Sequence, residues 1–264
     1  VTDSQPKARL IHGNAIDALR GLPAGIVDAA VFDPPYPTIS GGSNADKGGK
    51  WQRPSGILTK NDGKIFGHND ISPDEYLPEV FRVLRDDAHL YLMTNVLNIV
   101  QKDLLGALSR AGFQVHNLLV WRKNNATPNR WYMKDLEYTI FARKGRAFSI
   151  NHLGTRSSAE VFPHPLDWDN VTSPKSHPTE KPVNLMATYI QNSTQPGEVV
   201  LDPFMGTGAT GVAALDIGRE FIGIEMDKSY CEAASRRIGV PLETSEPDLA
   251  ALLGEDDDIE ALLA

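Results

Sequence analysis

The stretch "VVLDPFMGTGATGVAALDIGREFIGIEMD", residues 199–227, constrains the fold more than any other part of the chain. An apolar run ends at Asp202, after which Gly206 and Gly208 permit a tight turn and a close backbone approach. A helix begins near Ala209 with its first amides directed at whatever lies before it. A second apolar strand, "FIGIE", then ends in Glu225. Strand, glycine turn, helix, strand and terminal acid in that order form one unit of a parallel sheet. The acid falls where a carboxylate bonds the ribose hydroxyls of an adenosine-containing cofactor. Glycines kept only for packing are the competing reading.

The segment "GTGATG" supplies Gly206, Gly208 and Gly211 at the dinucleotide spacing, so spacing alone leaves a nicotinamide cofactor open. The flanking residues argue otherwise. Asp202 beside the turn repels a diphosphate and attracts the ammonium of a methionine moiety, which favours S-adenosylmethionine.

A second constellation is "VDAAVFDPPYPT", residues 27–38. Ala29-Ala30-Val31-Phe32 has the composition of a strand covered on both faces, and Asp33 is the first group able to leave it. Pro34 and Pro35 forbid further ladder pairing and hold the backbone extended. The sequence therefore fixes a carboxylate, a carbonyl and the phenol of Tyr36 at the carboxyl edge of a sheet, where open α/β sheets bind ligands. A proline-rich turn after a core strand is the plainer alternative.

Strands alternate with helices along the rest of the chain. A capped helix is expected at "SPDEYLPEVFRVLR", with Ser72 as cap and Pro73 at the first helical position. There follow a strand at "AHLYLMT", one amphipathic helix at "NIVQKDLLGALSRAG" stopped by Gly112, and strands at "FQVHNLLVW" and "LEYTIFAR". Residues 149–180 read as irregular, and "PVNLMATYIQNS" and "DKSYCEAASRRI" as helices. The fold class is α/β, a mostly parallel sheet with helices on both faces.

With 264 residues the chain is long enough for one catalytic domain, taken as residues 1–242, with a mobile loop at about 37–72 and an acidic tail at 243–264. No apolar run spans a bilayer, and the N-terminus "VTDSQPKARL" lacks the apolar core of a signal peptide, so the cytoplasm is the expected location. The single cysteine, Cys231, reads as a small core residue and can form neither an internal disulfide nor a zinc cluster.

A net charge of −8 argues against a nucleic-acid partner until its distribution is considered. Residues 243–264 hold eight acids and no base, which leaves 26 of the 34 acids to balance 26 bases. Within that neutral body, residues 121–156 hold eight bases against Asp135 and Glu137 alone. Arg122, Lys123, Arg130 and Lys134 there, with Lys47, Lys50 and Arg53 on a Gly-rich stretch, are the candidate phosphate contacts. Trp121, Trp131 and Tyr132 lie among them and suit stacking on DNA, although core packing for at least one is the safer reading.

Taken together, these residues resemble the amino-group DNA methyltransferases, which methylate adenine N6 or cytosine N4. "DPPY" at 33–36 matches their catalytic motif, "DPFMGTG" at 202–208 their cofactor loop, and Glu225 their ribose-binding acid. The catalytic motif precedes the cofactor loop, the permuted order of the family's beta group. That order places target recognition between them, at about 121–176. The resemblance covers about residues 8–238 and implies a Rossmann-like methyltransferase fold using S-adenosylmethionine. It also implies cofactor contacts from Asp202, Pro203, Phe204, Gly206, Thr207, Gly208 and Glu225. "SHPTEKPVNLM" at 176–186 resembles the segment enclosing the methionine end, which adds His177, Thr179 and Lys181. One departure is Asn14 in "HGNAIDAL", where many relatives carry an acid.

The same resemblance implies a mechanism. An exocyclic amino group is a poor nucleophile, because its lone pair is delocalised into the ring, and the base must leave the duplex to be reached. Asp33 and the Pro34 carbonyl accept the two amino hydrogens, Tyr36 stacks on the flipped ring, and Pro35 helps hold the acceptors rigid. An aspartate opening the motif points to adenine, since cytosine-N4 relatives more often open with serine. The implied partner is double-stranded DNA and not a membrane; a homodimer and a restriction endonuclease partner stay open. The competing functions are a cytosine-N4, RNA or protein-amide methyltransferase, a non-catalytic DNA-binding subunit on the same scaffold, and a nicotinamide dehydrogenase.

Overall fold

A computed structural model describes residues 7–35, 38–39, 59–60, 71–101, 103–127, 132, 134–147, 150–151, 159–160 and 181–244. The chain opens with β1 (Ala8–His12), α1 (Ala15–Gly21) and β2 (Val27–Phe32), then the short pair β3 (Thr38–Ile39) and β4 (Thr59–Lys60). Next come α2 (Pro73–Val83), β5 (Leu84–Thr94), α3 (Val96–Gln101), α4 (Leu104–Ala111), β6 (Gln114–Thr127), β7 (Lys134–Arg143) and β8 (Ala159–Glu160). The last third is α5 (Val183–Ser193), β9 (Val199–Asp202), α6 (Ala209–Asp216), β10 (Glu220–Glu225), α7 (Lys228–Ile238) and β11 (Leu242–Thr244).

Nine strands form one sheet in the order β11-β1-β10-β9-β2-β5-β7-β6-β8. From β11 to β5 all neighbours are parallel; β7 runs antiparallel to both β5 and β6. The period of two along each strand divides its side chains between two cores. Ile11, Ala30, Phe32, Leu90 and Leu92 pack against α1, α2 and α4 on one face. Their neighbours Leu10, Val31, Tyr91 and Met93 pack against α5, α6 and α7 on the other. Burial on both faces explains why β2 reads as a continuous apolar run; Phe32, fully buried, contributes about 1.5–3 kcal/mol on that account.

The expected helix from Ser72 forms with a complete capping box: the Asp74 amide donates to Ser72 Oγ at 3.3 Å, and the Ser72 amide donates to Glu75 Oε2 at 2.8 Å. The single amphipathic helix expected over "NIVQKDLLGALSRAG" is instead two, α3 and α4. Asp103 between them is left-handed, with φ 47°, which a continuous right-handed helix does not admit. Its carboxylate accepts from Arg110 at 2.7 Å, and Arg110 also pairs with Asp74 at 2.8 Å, which docks α4 onto α2.

Four further differences concern extent. The strand expected over "FQVHNLLVW" continues to Thr127, so Arg122 and Lys123 also lie in β6. Within the segment read as irregular, β8 pairs with β6 at Val120 and Trp121. The opening β1 and α1 had no counterpart in the sequence reading; Asn14 caps α1 by accepting from the Ile16 amide at 2.8 Å. Glu243, grouped with the acidic tail, is part of β11 and pairs with Arg9 at 2.9 Å, because the ladder with β1 sets it opposite Ile11. Cys231 is buried as expected and donates to the Glu225 carbonyl at 3.2 Å, its thiol pushed up to about 12 chiefly by burial. No helix among the described residues is long and apolar enough to cross a membrane.

Candidate active site

The strand order reverses between β9 and β2. From β9 the chain passes through α6 to β10 on one side, and from β2 through α2 to β5 on the other. Divergence of this kind opens a crevice at the carboxyl ends of the two strands. Ladder pairs Ala30–Leu201 and Gly223–Asp202 place β2 and β10 on either side of β9. Glu225, two residues beyond Gly223, and Asp33, just beyond Phe32, therefore flank Asp202 at the same edge of the sheet.

Asp202 is buried, with 4% exposure. It accepts from the Phe204 amide at 3.0 Å and from Thr210 Oγ1 at 2.7 Å. Burial nevertheless pushes its carboxyl up to about 7, and the charges of Asp33 and Glu225 push in the same direction. Glu225 is raised by burial as well, although three backbone amides donate to it: Gly206 at 2.9 Å, and Met226 and Asp227 at 2.8 Å each. Gly206 and Gly208 have φ of 51° and 82°, the left-handed region that favours glycine. Gly208 starts α6 without a side-chain cap. Thr207 and Pro203 are buried, and Phe204 lies half-buried against Phe32 and Tyr76, with ring centroids 5.8 and 5.2 Å away.

At the end of β2, Asp33 is half-buried and Pro34 buried. Lys181, expected among the cofactor contacts, has its ammonium 2.6 Å from Asp33 Oδ2 and 3.2 Å from Glu137 Oε2. Two members of this group were missed in the sequence. Glu137 counts in the sequence only as one of the acids offsetting a basic segment, yet antiparallel β7 sets it opposite Trp121 and within reach of Lys181. Tyr76 is fully buried on α2 and its hydroxyl is raised above the usual range, by burial first and then by the charge of Asp33. A buried residue at the fourth position of α2 carries no local mark of that neighbour.

Of the residues suggested for DNA, Arg122 is exposed and pairs with Asp135 at 3.4 Å. Lys123 and Lys134 lie in β6 and β7. Trp121 is a core residue packed with Tyr91, Met93 and Leu185, while Tyr132 is 90% exposed. Tyr36, Lys47, Lys50, Arg53, Arg130, Trp131, His177 and Thr179 lie outside the described residues.

Asp33, Asp202 and Glu225 give this crevice a carboxylate-rich lining next to a helix start and two left-handed glycines. Such a donor set fits a cation carrying a ribose diol and repels a diphosphate.

The same architecture occurs in solved methyltransferases. M1.HpyAVI in complex with SAM (S-adenosylmethionine) superposes with a TM-score of 0.61 at 25% identity, covering 87% of this chain and 99% of that one. The cytosine-N4-specific PvuII DNA methyltransferase has the same fold at 15% identity, with a TM-score of 0.63 over 89% of this chain and 87% of its own. The fold is thus the Rossmann-like one of S-adenosylmethionine-dependent methyltransferases. Residues 27–236 match the N6_N4_Mtase family, described as DNA methylase, and the chain belongs to it. Similar proteins include the Type II methyltransferases M2.LlaDCHI of Lactococcus lactis subsp. cremoris and M2.MboI of Moraxella bovis. The first is 28% identical over 250 residues, covering 88% of this chain and 89% of the relative. The second is 26% identical over 249 residues, covering 86% of each. The chain is an amino-group DNA methyltransferase.

Proposed function

We propose that the protein methylates the exocyclic N6 of adenine at a specific sequence in double-stranded DNA, using S-adenosylmethionine, as the methylating half of a Type II restriction–modification system. The observation that carries this reading is Asp33 with the Pro34 carbonyl at the end of β2, beside Asp202 at the end of β9. Bound S-adenosylmethionine supplies an electrophilic methyl on a sulfonium. Asp33 and the Pro34 carbonyl accept the two hydrogens of the target amino group, which frees its lone pair. The missing amide hydrogens of Pro34 and Pro35 leave the backbone there without a competing donor. Asp202 faces the cationic methionine end, and Glu225 bonds the ribose hydroxyls. The base reaches this edge only after flipping out of the duplex. Target recognition belongs to the region of about 121–176, with Arg122 and its neighbours on the β6–β7 ribbon tracking phosphates.

Asp33 at the head of the tetrad supports adenine. Incubation with mixed-sequence duplex DNA and labelled cofactor, followed by nucleoside chromatography, is expected to yield N6-methyladenine. N4-methylcytosine in its place overturns the base assignment, and unlabelled DNA overturns the activity.

Glu225→Ala is expected to weaken S-adenosylmethionine binding by about 1.5–3 kcal/mol, the scale of hydrogen bonds to a charged acceptor. The melting temperature should fall too, since three backbone amides lose their acceptor. DNA affinity should hold. Calorimetric titration reads the effect, and parental cofactor affinity in the variant excludes the ribose role.

A further inference from the structure

Lys181 stands just before α5, far in sequence from both carboxylates it touches. Its side chain is 10% exposed, with Asp33 at 21% and Glu137 at 26%, so the three charges meet largely out of water. Each comes from a different part of the fold: Asp33 from the end of β2, Glu137 from antiparallel β7, and Lys181 from the segment leading into α5. We propose that Lys181 is a positioning residue for methyl transfer, fixing the orientation and charge of the Asp33 carboxylate, and that Glu137 holds Lys181 in place to do so.

The ion pair acts directly on the Asp33 carboxylate. Oδ2 receives the ammonium at 2.6 Å, and a charge-assisted bond of that length fixes the plane of the carboxylate. So held, the Asp33 carboxylate accepts a hydrogen bond from one amino hydrogen while the Pro34 carbonyl accepts from the other. A carboxylate free to rotate would spend much of its time aimed elsewhere, and misplacement of an acceptor by about 1 Å costs up to about a hundredfold in rate. Asp202 and Glu225 bring two more carboxyl groups to the same edge, and the Lys181 ammonium is the positive charge set directly against Asp33. Glu137 matters because a lysine has a long flexible stem. With Glu137 at 3.2 Å as well, the ammonium is held by two carboxylates. Lys181 serves here as a counter-ion to the catalytic acid, which distinguishes it from the cofactor contacts.

This inference rests on the reading of Asp33 as acceptor of the amino hydrogens. The test compares Lys181→Met, Lys181→Arg, Glu137→Gln and the double variant Lys181→Met with Glu137→Gln in steady-state methylation of duplex DNA. Calorimetric S-adenosylmethionine affinity and thermal melts accompany it. Lys181→Met is expected to lower kcat about ten- to a hundredfold while KM for DNA and the cofactor Kd stay within about twofold. Lys181→Arg should restore much of kcat. Glu137→Gln should lower kcat less, and add nothing in the Lys181→Met background, since it acts through the lysine. Parental kcat in Lys181→Met, or a raised cofactor Kd with kcat unchanged, overturns the proposal; the second result returns Lys181 to cofactor binding. Should Lys181→Met fail to fold, Glu137→Gln decides, and parental kcat there is the overturning result. A parent protein that transfers no methyl to DNA overturns the reading of Asp33 and this inference together, and so differs from failure of the inference alone.

Discussion

Asp33→Ala is expected to lower methyl transfer by roughly 10²–10⁴-fold while leaving S-adenosylmethionine affinity within about threefold of the parent. An exocyclic amino nitrogen attacks an electrophile only when its lone pair is drawn out of the ring, and on the proposed reading the acceptors that draw it out are Asp33 and the Pro34 carbonyl. Alanine removes one of the pair and leaves the other untouched. The cofactor side should largely persist, because Asp202, Glu225 and the turn at Gly206–Gly208 belong to β9, β10 and the start of α6, and the charge of Asp33 raises the Asp202 carboxyl less than burial does. Phe32, Tyr76 and Phe204 beneath it form a contiguous aromatic cluster, with centroids 5.2–6.1 Å apart, that alanine does not disturb. Asp33→Asn keeps the volume and one acceptor without the charge, and should fall between parent and alanine. Single-turnover transfer with calorimetry on the same samples separates the two effects. Alanine turnover within tenfold of the parent would remove Asp33 from the chemistry.

What the sequence made legible was local. Strand, glycine turn, helix and acid from Val199 to Glu225 occupy consecutive residues, and each step has its own steric or polar signature, so β9, α6 and β10 are legible in the sequence alone. The same holds for β2, where two prolines mark the strand end, and for α2, whose cap is written in Ser72, Pro73 and Glu75. The pairing of Lys181 with Asp33 and Glu137 had no such mark, since an ion pair between segments far apart in the chain leaves no periodicity in any of them. Nor did the break at Asp103: amphipathic spacing continues across it, and only docking of Arg110 onto Asp74 and Asp103 shows why the helix turns there. The opening strand β1 is five residues of mixed polarity and becomes a strand through its parallel partners, β10 and β11. Trp121 bears out the expectation that at least one aromatic among the basic residues packs in the core, since strand alternation turns it inward; composition alone did not say which.

The carboxyl of Asp202 leads to the other large expected effect, a pair of pH dependences of opposite sign. Its native value of about 7 lies above the ordinary aspartate value of 3.8, so between the two the folded protein holds a proton that the unfolded chain has released. Stability of the cofactor-free protein should therefore fall as pH rises through that window, by up to about 1.4 kcal/mol per pH unit and about 4 kcal/mol in total from this group. Glu225, also raised, adds to the same slope. Cofactor affinity should run the other way. A cation is attracted to the ionised carboxylate alone, so below about pH 7 binding must expel the Asp202 proton, and the Kd should improve by up to about tenfold for each unit of rising pH before levelling off. Titrations from about pH 5.5 to 7.5 in two buffers of different ionisation enthalpy should reveal release of about one proton per cofactor bound at the acid end, while thermal melts of the free protein over the same range move downward. Asp202→Asn, which holds no titrating proton, should flatten both curves. An affinity independent of pH in the parent would mean that the methionine ammonium is met elsewhere, and that the desolvation of Asp202 serves the packing of the turn between β9 and α6 and not the recognition of charge.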